Sequence, residues 1–170
     1  MREIPLSRGA VALVGDEDFE RVSLYKWSLD RNGYAVRAWR VGNRRCKVML
    51  HRFILCAPRG YDVDHKDGNL LNCTRENIRI CTRAQNNANS RGRTGTSKYK
   101  GVRLSRRRWR VEICADGQRI NVGTFSDEIE AAQAYDTAAI RYHGEFARLN
   151  FPRKQKPALV PPVVRERALS

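Results

Sequence analysis

Ten residues near the middle of the chain limit what it can fold into. Residues 89–98, NSRGRTGTSK, contain Asn, Gly, Ser, Thr and basic side chains but no large apolar residue, so they add nothing to a hydrophobic core. They separate a stretch of about 90 residues from a second one of about 55. We therefore expect two small cores, with residues 91–98 as a linker.

The chain carries a large excess of positive charge, which points to a polyanionic partner. Lys and Arg number 33 and Asp and Glu 18, for a net charge of +15. The densest stretch, residues 91–125, holds ten basic and two acidic side chains. Nucleic acid and acidic membranes attract such a chain. No run approaches about 18 apolar residues, so we expect no membrane-spanning segment.

The cysteines indicate reduced thiols, and hence a cytoplasmic protein. The chain has five, at positions 46, 56, 73, 81 and 114, with no Cys-x-x-Cys pair. Zinc is an alternative through His51, Cys56, Cys73 and Cys81, but these spacings are wider than those of structural zinc sites. Residues 153–170 are basic and proline-rich, which predicts a disordered tail.

Residues 99–152 have the pattern of a three-stranded sheet covered by a helix. In YKGVRLS, RWRVEIC and RINVGTF, apolar and polar residues alternate, and Asp116-Gly117 marks a hairpin. A capping box at Asp127 begins a helix that ends near Gly144. The helix is expected to pack on the Trp109 face of the sheet through Ile129, Ala132, Tyr135, Ala139 and Tyr142.

The other face of this sheet is predicted to bind double-stranded nucleic acid. It collects Arg103, Arg108, Arg110, Glu112, Arg119 and Asn121. Arg can form two hydrogen bonds with phosphate or guanine, and Asn can do so with adenine. A sheet face can enter a major groove. A merely solvated face is the ordinary alternative. The segments YKGVRLSRRRWRVEI, INVGTF and AAQAYDTAAIRYHGEFARLNFP resemble an AP2/ERF DNA-binding domain, which implies that this face holds duplex DNA.

Residues 61–89 gather the groups that metal-dependent phosphodiester hydrolysis requires. A strand ending at Asp64-His65 is followed by a polar loop, a strand containing Ile78 and Ile80, and a helix opening at RAQNNANS. Hydrolysis needs a base for water and a cation on the phosphate. A neutral His65 can take the proton, and Asp and Asn oxygens suit a hard cation such as Mg²⁺. An ordinary Asn-rich turn is the alternative.

The segment VDHKDGNLLNCTRENIRICTRAQN resembles an HNH endonuclease of the phage and intron-homing type, with a ββα-metal fold. Asp64, His65, Asn77 and Asn86 fall on its motif positions. The resemblance implies that His65 is the general base and that Asn77 positions the histidine and its loop. It also implies that Asp64 and Asn86 bind Mg²⁺ or another divalent cation such as Mn²⁺.

The expected fold class is α+β, with a β-rich N-terminal region, a ββα-metal nuclease module and a β-β-β-α AP2-like domain. The predicted ranges are 1–50, 51–90 and 99–152, joined by the linker and followed by the tail. In residues 1–50 we expect short strands over a small core through Trp27, Tyr34, Val36, Trp39, Val41 and Val48, and His51 is a possible neighbour of the site.

The expected function is a metal-dependent DNA endonuclease of a phage or mobile element, acting in the cytoplasm of a bacterial host. Double-stranded DNA is the expected partner. We expect a monomer without a protein partner, and a nick is the natural product of its single site. One alternative is an AP2-type transcriptional regulator with a non-catalytic HNH scaffold. Another is an RNA-binding protein or ribonuclease.

Overall fold

The computed structural model describes residues 1–92 and 95–152, which form an α+β structure. The strands are β1 (Arg2–Pro5), β2 (Val11–Val14), β3 (Ser28–Leu29), β4 (Ala35–Val41), β5 (Arg44–Met49), β6 (Asp62–His65), β7 (Ile78–Cys81), β8 (Val102–Ser105), β9 (Arg108–Ala115) and β10 (Gln118–Phe125). The helices are α1 (Asp16–Ser23), α2 (Leu50–Leu55), α3 (Arg83–Asn89) and α4 (Glu128–His143). The predicted tail and linker residues 93–94 lie outside the described residues.

All the strand ladders are antiparallel, and they form four small sheets in the described part of the chain. These are β1–β2, β3–β4–β5, β6–β7, and a sheet in the order β10–β9–β8. The strand–loop–strand–helix order expected for residues 61–89 is confirmed by β6, β7 and α3. Among the described helices, none has the length and apolar composition needed to cross a bilayer.

One hydrophobic core joins the first 50 residues to the β6–β7 region. Its buried members come mainly from β1, β2, α1, α2, β6 and β7, together with Trp27 from the segment between α1 and β3. They include Ile4, Val14, Val22, Leu50, Ile54, Val63 and Ile78. The backbone of Leu13 bonds to both Leu71 and Cys73, which fastens β2 to the loop between β6 and β7. The N-terminal region is therefore part of the support of that loop.

The expectation that Trp39 and Val41 belong to this core is wrong. Their exposed fractions are 38% and 63%, because the far end of the β4–β5 hairpin extends beyond the core. Only the base of the hairpin, at Ala35 and Val36, is buried. The hairpin therefore presents an open two-stranded ribbon.

The C-terminal region has the predicted three strands and helix. Val102, Val111 and Ile113 pack against α4, and the apolar side of the sheet faces the helix as expected. The helix contacts the sheet through Tyr135 and a stripe of alanines, Ala131, Ala132, Ala138 and Ala139. Ile129 and Tyr142, predicted to face the sheet, are exposed instead. Both lie near the ends of the helix, outside the stripe of small side chains that allows close packing.

A buried carboxylate ties α1 to the segment before β7. Asp18 accepts hydrogen bonds from Arg75, at 2.7 Å from Nε and 3.0 Å from Nη2, and from Arg21 Nη2 at 2.8 Å. Burial of the carboxyl raises its pKa, but the bonds to Arg75 and Arg21 outweigh burial and hold the pKa of Asp18 below its ordinary value. The charged form therefore stabilises the fold.

We expect Asp18→Asn to lower the free energy of unfolding by about 2–3 kcal/mol near pH 7, because two arginines lose a charged acceptor. The stabilisation is full above 3.8, the ordinary pKa of aspartate, and is lost as the pH falls through the lower pKa of the folded protein. Urea denaturation from pH 7 to pH 3 measures the difference. Asp16→Asn is the control, since Asp16 is exposed. Equal effects of the two variants would contradict the assignment.

Candidate active site and nucleic-acid interface

The alternation of β6 places Asp64 and His65 on opposite faces of a two-stranded sheet. Asp64 pairs with Arg79 in register, and His65 pairs with Ile78. Asp62, Asp64 and Arg79 therefore share one face, which is covered by α3. His65 shares the other face with Ile78, which belongs to the N-terminal core. The two motif residues that are neighbours in sequence thus have separate surroundings.

His65 lies in a buried cluster of polar and aromatic side chains. Its side chain is 4% exposed, its ring centroid is 5.0 Å from that of His51 and 6.3 Å from that of Tyr34, and Nε2 is 3.9 Å from Cys73 Sγ. Burial lowers the pKa of His65, and the charges of Asp67 and Asp64 only partly oppose this. The imidazole is therefore neutral near pH 7, the form that can accept a proton.

His51 contacts the site, as the sequence allowed. It follows β5 at the start of α2, is buried, and meets the His65 ring edge to face. Burial, helped by the charges of His65 and Arg52, lowers the pKa of His51 to about 3. His51 is therefore a neutral neighbour that fixes the position of the His65 ring.

The two buried thiols near the site, Cys73 and Cys81, are protonated in the metal-free protein. Burial raises the pKa of Cys73 to about 12 and that of Cys81 to about 11, so both stay protonated and are poor ligands. Across residues 1–92 and 95–152, no three His, Cys, Asp or Glu side chains come together as a closed zinc site would need. The buried cysteines act as small core residues.

Asn77 fastens the loop that follows His65. Its Oδ1 accepts from the Asp67 amide at 3.1 Å, and its Nδ2 donates to Asn72 O at 2.8 Å and to Asp67 Oδ1 at 3.0 Å. Burial raises the pKa of Asp67, but hydrogen bonds from Asn69, Asn72 and Asn77 outweigh it and lower the pKa. Asn77 thus bonds to the loop rather than to the imidazole.

The Asp64 face is organised by α3, whose start is set by a capping box. Thr82 accepts from the Gln85 amide, and the Gln85 side chain accepts from the Thr82 amide. From this start, Asn89 lies over Asp64 and donates to Oδ1 at 2.8 Å and to His65 O at 2.9 Å. Asn86, expected beside Asp64, instead donates to Asp62 at 3.1 Å, because it lies one helical turn earlier.

The residues on this face suit a hard divalent cation. Asp62 and Asp64 present two carboxylates on one side of β6, opposite the amide groups of Asn86 and Asn89. A magnesium site uses one or two carboxylates and keeps several waters, so a closed cage of protein ligands is unnecessary. In the structure, Asn86 and Asn89 donate to these carboxylates through Nδ2, and the carboxylates also pair with Arg83 at 3.2 Å and with Arg79 at 2.9 Å. Carboxylate and amide oxygens are the ligand type of hard cations rather than of thiolate-binding metals.

Two residues at this face were missed from the sequence. Asn89 lies within the stretch RAQNNANS that the sequence predicts to open a helix, and its i, i+3 spacing from Asn86 places both amides on one helical face. Arg79 donates from Nε to Asp64 Oδ2 at 2.9 Å. Its position directly across from Asp64 follows from the β6–β7 register, which depends on the length of the loop between the strands.

The outer face of the C-terminal sheet contains every residue predicted there. In the ladder, Arg103 lies opposite Arg110, and Asn121 opposite Glu112. Arg103 Nη2 and Arg110 Nη2 approach the same carboxylate oxygen of Glu112, at 3.2 Å and 3.0 Å. Glu112 therefore orients two arginines on the uncovered face. Their binding to nucleic acid stays a prediction.

Comparison with known proteins gives similarities for both parts of the chain. A family model described as HNH endonuclease matches residues 57–88. An uncharacterized HNH endonuclease of Acanthamoeba polyphaga mimivirus is 35% identical over 150 residues, covering 84% of this chain and 76% of the relative. Protein 3.8 of Escherichia phage T7 is 34% identical over 94 residues, covering 54% of this chain and 77% of the relative. An AP2/ERF and B3 domain-containing protein of Oryza sativa subsp. japonica is 48% identical over 58 residues, covering 34% of this chain and 16% of the relative.

We expect Asn77→Ala to loosen the loop after His65 without unfolding the chain. The Asp67 amide loses its acceptor, so its hydrogen exchange should become up to about tenfold faster. Exchange measured by NMR or mass spectrometry tests this. Asn87→Ala is the control, because Asn87 is exposed on α3. An unchanged rate for Asp67 in Asn77→Ala would contradict the assigned role.

Proposed function

The chain belongs to the HNH endonuclease family and is a nuclease, and from this premise we propose that it cuts double-stranded DNA with the help of a divalent cation. The observation that carries the proposal is a neutral, buried His65 directly after a carboxylate at the end of β6. A binding protein has no need of a base next to a carboxylate. A regulator with an inert HNH scaffold is therefore the weaker alternative.

In the proposed reaction, His65 accepts a proton from the water that attacks phosphorus. Its neutral imidazole is the correct form for this step, and His51 and Cys73 limit its rotation. Asn77 holds the adjoining loop, so the imidazole keeps its direction. The water oxygen bonds to phosphorus as the P–O bond to the 3′ oxygen breaks, and the departing 3′ oxygen takes a proton from solvent water, leaving a 3′-hydroxyl and a 5′-phosphate.

Asp64 and the amides of α3 form the proposed metal site. Asp64 is the carboxylate ligand, and Asn86 and Asn89 are the two amides one helical turn apart that face β6. A bound Mg²⁺ or Mn²⁺ supplies positive charge to the scissile phosphate and to the leaving oxygen. A comparison of the cleavage rates of Asn86→Ala and Asn89→Ala identifies which of the two amides is the metal ligand.

The proposed duplex-binding surface is the outer face of β8–β10, consistent with the AP2/ERF similarity. Its arginines can donate hydrogen bonds to phosphate or to guanine. Glu112 holds two of them, Arg103 and Arg110, in place through ion pairs.

We propose a second contact at the β4–β5 ribbon. Arg40 and Arg45 lie directly opposite each other there, both exposed. Like charges in such a pair are destabilising, and within the described residues no acidic side chain forms an ion pair with either. A phosphate backbone would offset the repulsion, and a two-stranded ribbon fits a major groove.

We expect His65→Ala to reduce the cleavage rate by about 10²–10⁴-fold while DNA affinity changes little, because the base acts on water. Plasmid nicking with Mg²⁺ or EDTA, together with binding in EDTA, measures both. Asp64→Ala should also raise the metal concentration that cleavage requires.

Wild-type turnover in His65→Ala would contradict the assignment of His65 as the general base. Binding without cleavage by the wild type would favour the regulator, and preferential cutting of RNA would favour a ribonuclease.

We expect single alanine substitutions at Arg103, Arg108, Arg110 and Arg119 to fall into two classes. Loss of a phosphate contact weakens all sequences alike and reduces the slope of log K against log salt by about 0.9. Loss of a base contact relaxes preference at one base pair by about 1–3 kcal/mol. Arg141→Ala is the control, since Arg141 is exposed on α4. If the four variants resemble Arg141→Ala, the duplex binds elsewhere.

A further inference from the structure

Arg79 has contacts on both sides that the proposed mechanism does not use. On one side it bonds to Asp64 Oδ2, at 2.9 Å from both Nε and Nη2. On the other, Nη1 donates to Glu145 O at 3.0 Å and lies 3.3 Å from Glu145 Oε2, and the guanidinium lies 3.7 Å from the centroid of the Phe146 ring. The side chain is 13% exposed. Arg79 therefore joins the catalytic carboxylate to the segment after α4.

Phe146 lies outside the core of its own module. Its buried neighbours are Cys81 of β7 and Ala88 of α3, both on the nuclease side. The core between α4 and β8–β10 is formed by other residues. The ring of Phe146 thus packs between the modules and covers the Asp64 face of the β6–β7 pair.

Two further contacts join the C-terminal module to the nuclease side. Lys100 Nζ donates to Ala88 O and, at 2.7 Å, to Ser90 O, which satisfies carbonyls at the end of α3. Arg148 Nη1 is 3.5 Å from Asp67 O in the loop held by Asn77. The C-terminal module therefore contacts the strand, the helix and the loop that carry the site.

We propose that Arg79 is a positioning residue through which the docked C-terminal module completes the metal site, by holding Arg79 against Asp64 between Glu145 and Phe146. The inference rests on the proposed function. Groups that hydrogen-bond to a metal ligand fix its orientation, and their loss typically costs about 10–100-fold in metal affinity or activity. The module described as a DNA-binding unit is then also a part of the nuclease site.

The test uses the full chain and compares two phenylalanines of the same module. Phe146→Ala removes the ring beneath Arg79. Phe151→Ala is the control for loss of a ring from the same module, because the Phe151 ring lies 5.3 Å from that of Tyr99, at a tilted angle, within the C-terminal module. Arg79→Lys keeps the positive charge but lacks the fork that reaches both Asp64 and Glu145. Each protein is titrated with Mn²⁺ by calorimetry without DNA, and cleavage is followed against Mn²⁺ concentration at saturating DNA.

We expect Phe146→Ala and Arg79→Lys to raise the Mn²⁺ dissociation constant about tenfold or more, with DNA affinity in EDTA within about threefold of wild type. Phe151→Ala should match wild type. Loss of DNA binding in EDTA would show that Phe146→Ala is unfolded. In that case the Mn²⁺ affinity of Arg79→Lys alone tests the inference.

Wild-type Mn²⁺ affinity in Arg79→Lys, or in a folded Phe146→Ala, would overturn the inference. Tighter Mn²⁺ binding would also overturn it, since Arg79 would then compete with the metal. A wild-type protein that neither binds Mn²⁺ nor cleaves DNA would instead contradict the proposed function.

Discussion

The β6–β7 pair cannot hold Asp64 and His65 in place without support on both faces. Each strand has four residues, and an isolated two-stranded hairpin is marginally stable at best in water. Because successive side chains alternate, Asp64 and His65 need separate supports. The N-terminal core with α2 covers the His65 face, and α3 with Phe146 covers the Asp64 face. Much of the chain therefore supports the eight residues of β6 and β7.

The two faces provide opposite electrostatic surroundings. On the His65 side, burial beside His51 and Cys73 disfavours a charged ring and leaves a neutral base. On the Asp64 side, the amide of Asn89 and the guanidinium of Arg79 satisfy a buried carboxylate, which must be paired to remain charged. Two residues that are neighbours in sequence thus have different electrostatic surroundings.

Two exposed β-structures each bring several positive charges together. The outer face of β8–β10 carries four arginines around Glu112, and the β4–β5 ribbon places Arg40 opposite Arg45. On the β8–β10 face, ion pairs with Glu112 offset the repulsion between Arg103 and Arg110. Among the described residues, Arg40 and Arg45 have no such acidic partner, so their repulsion is not offset within the chain. The sequence does not indicate that this ribbon is exposed, because its apolar residues, Trp39 and Val41, suggest a core.

The sequence by itself determined the local features whose causes lie within a few residues. Alternation predicted β8–β10 and the faces of Arg103 and Glu112, and the cap at Asp127 predicted the start of α4. The Asp64-His65 motif with Asn77 located the site. Only the tertiary structure decided which groups meet across long separations: Asn89 on Asp64, His51 on His65, and Arg79 between Asp64 and Phe146. These contacts depend on strand register, on the position of a helix over a sheet and on the docking of two modules. Such quantities are set by packing among distant residues, and no local pattern encodes them.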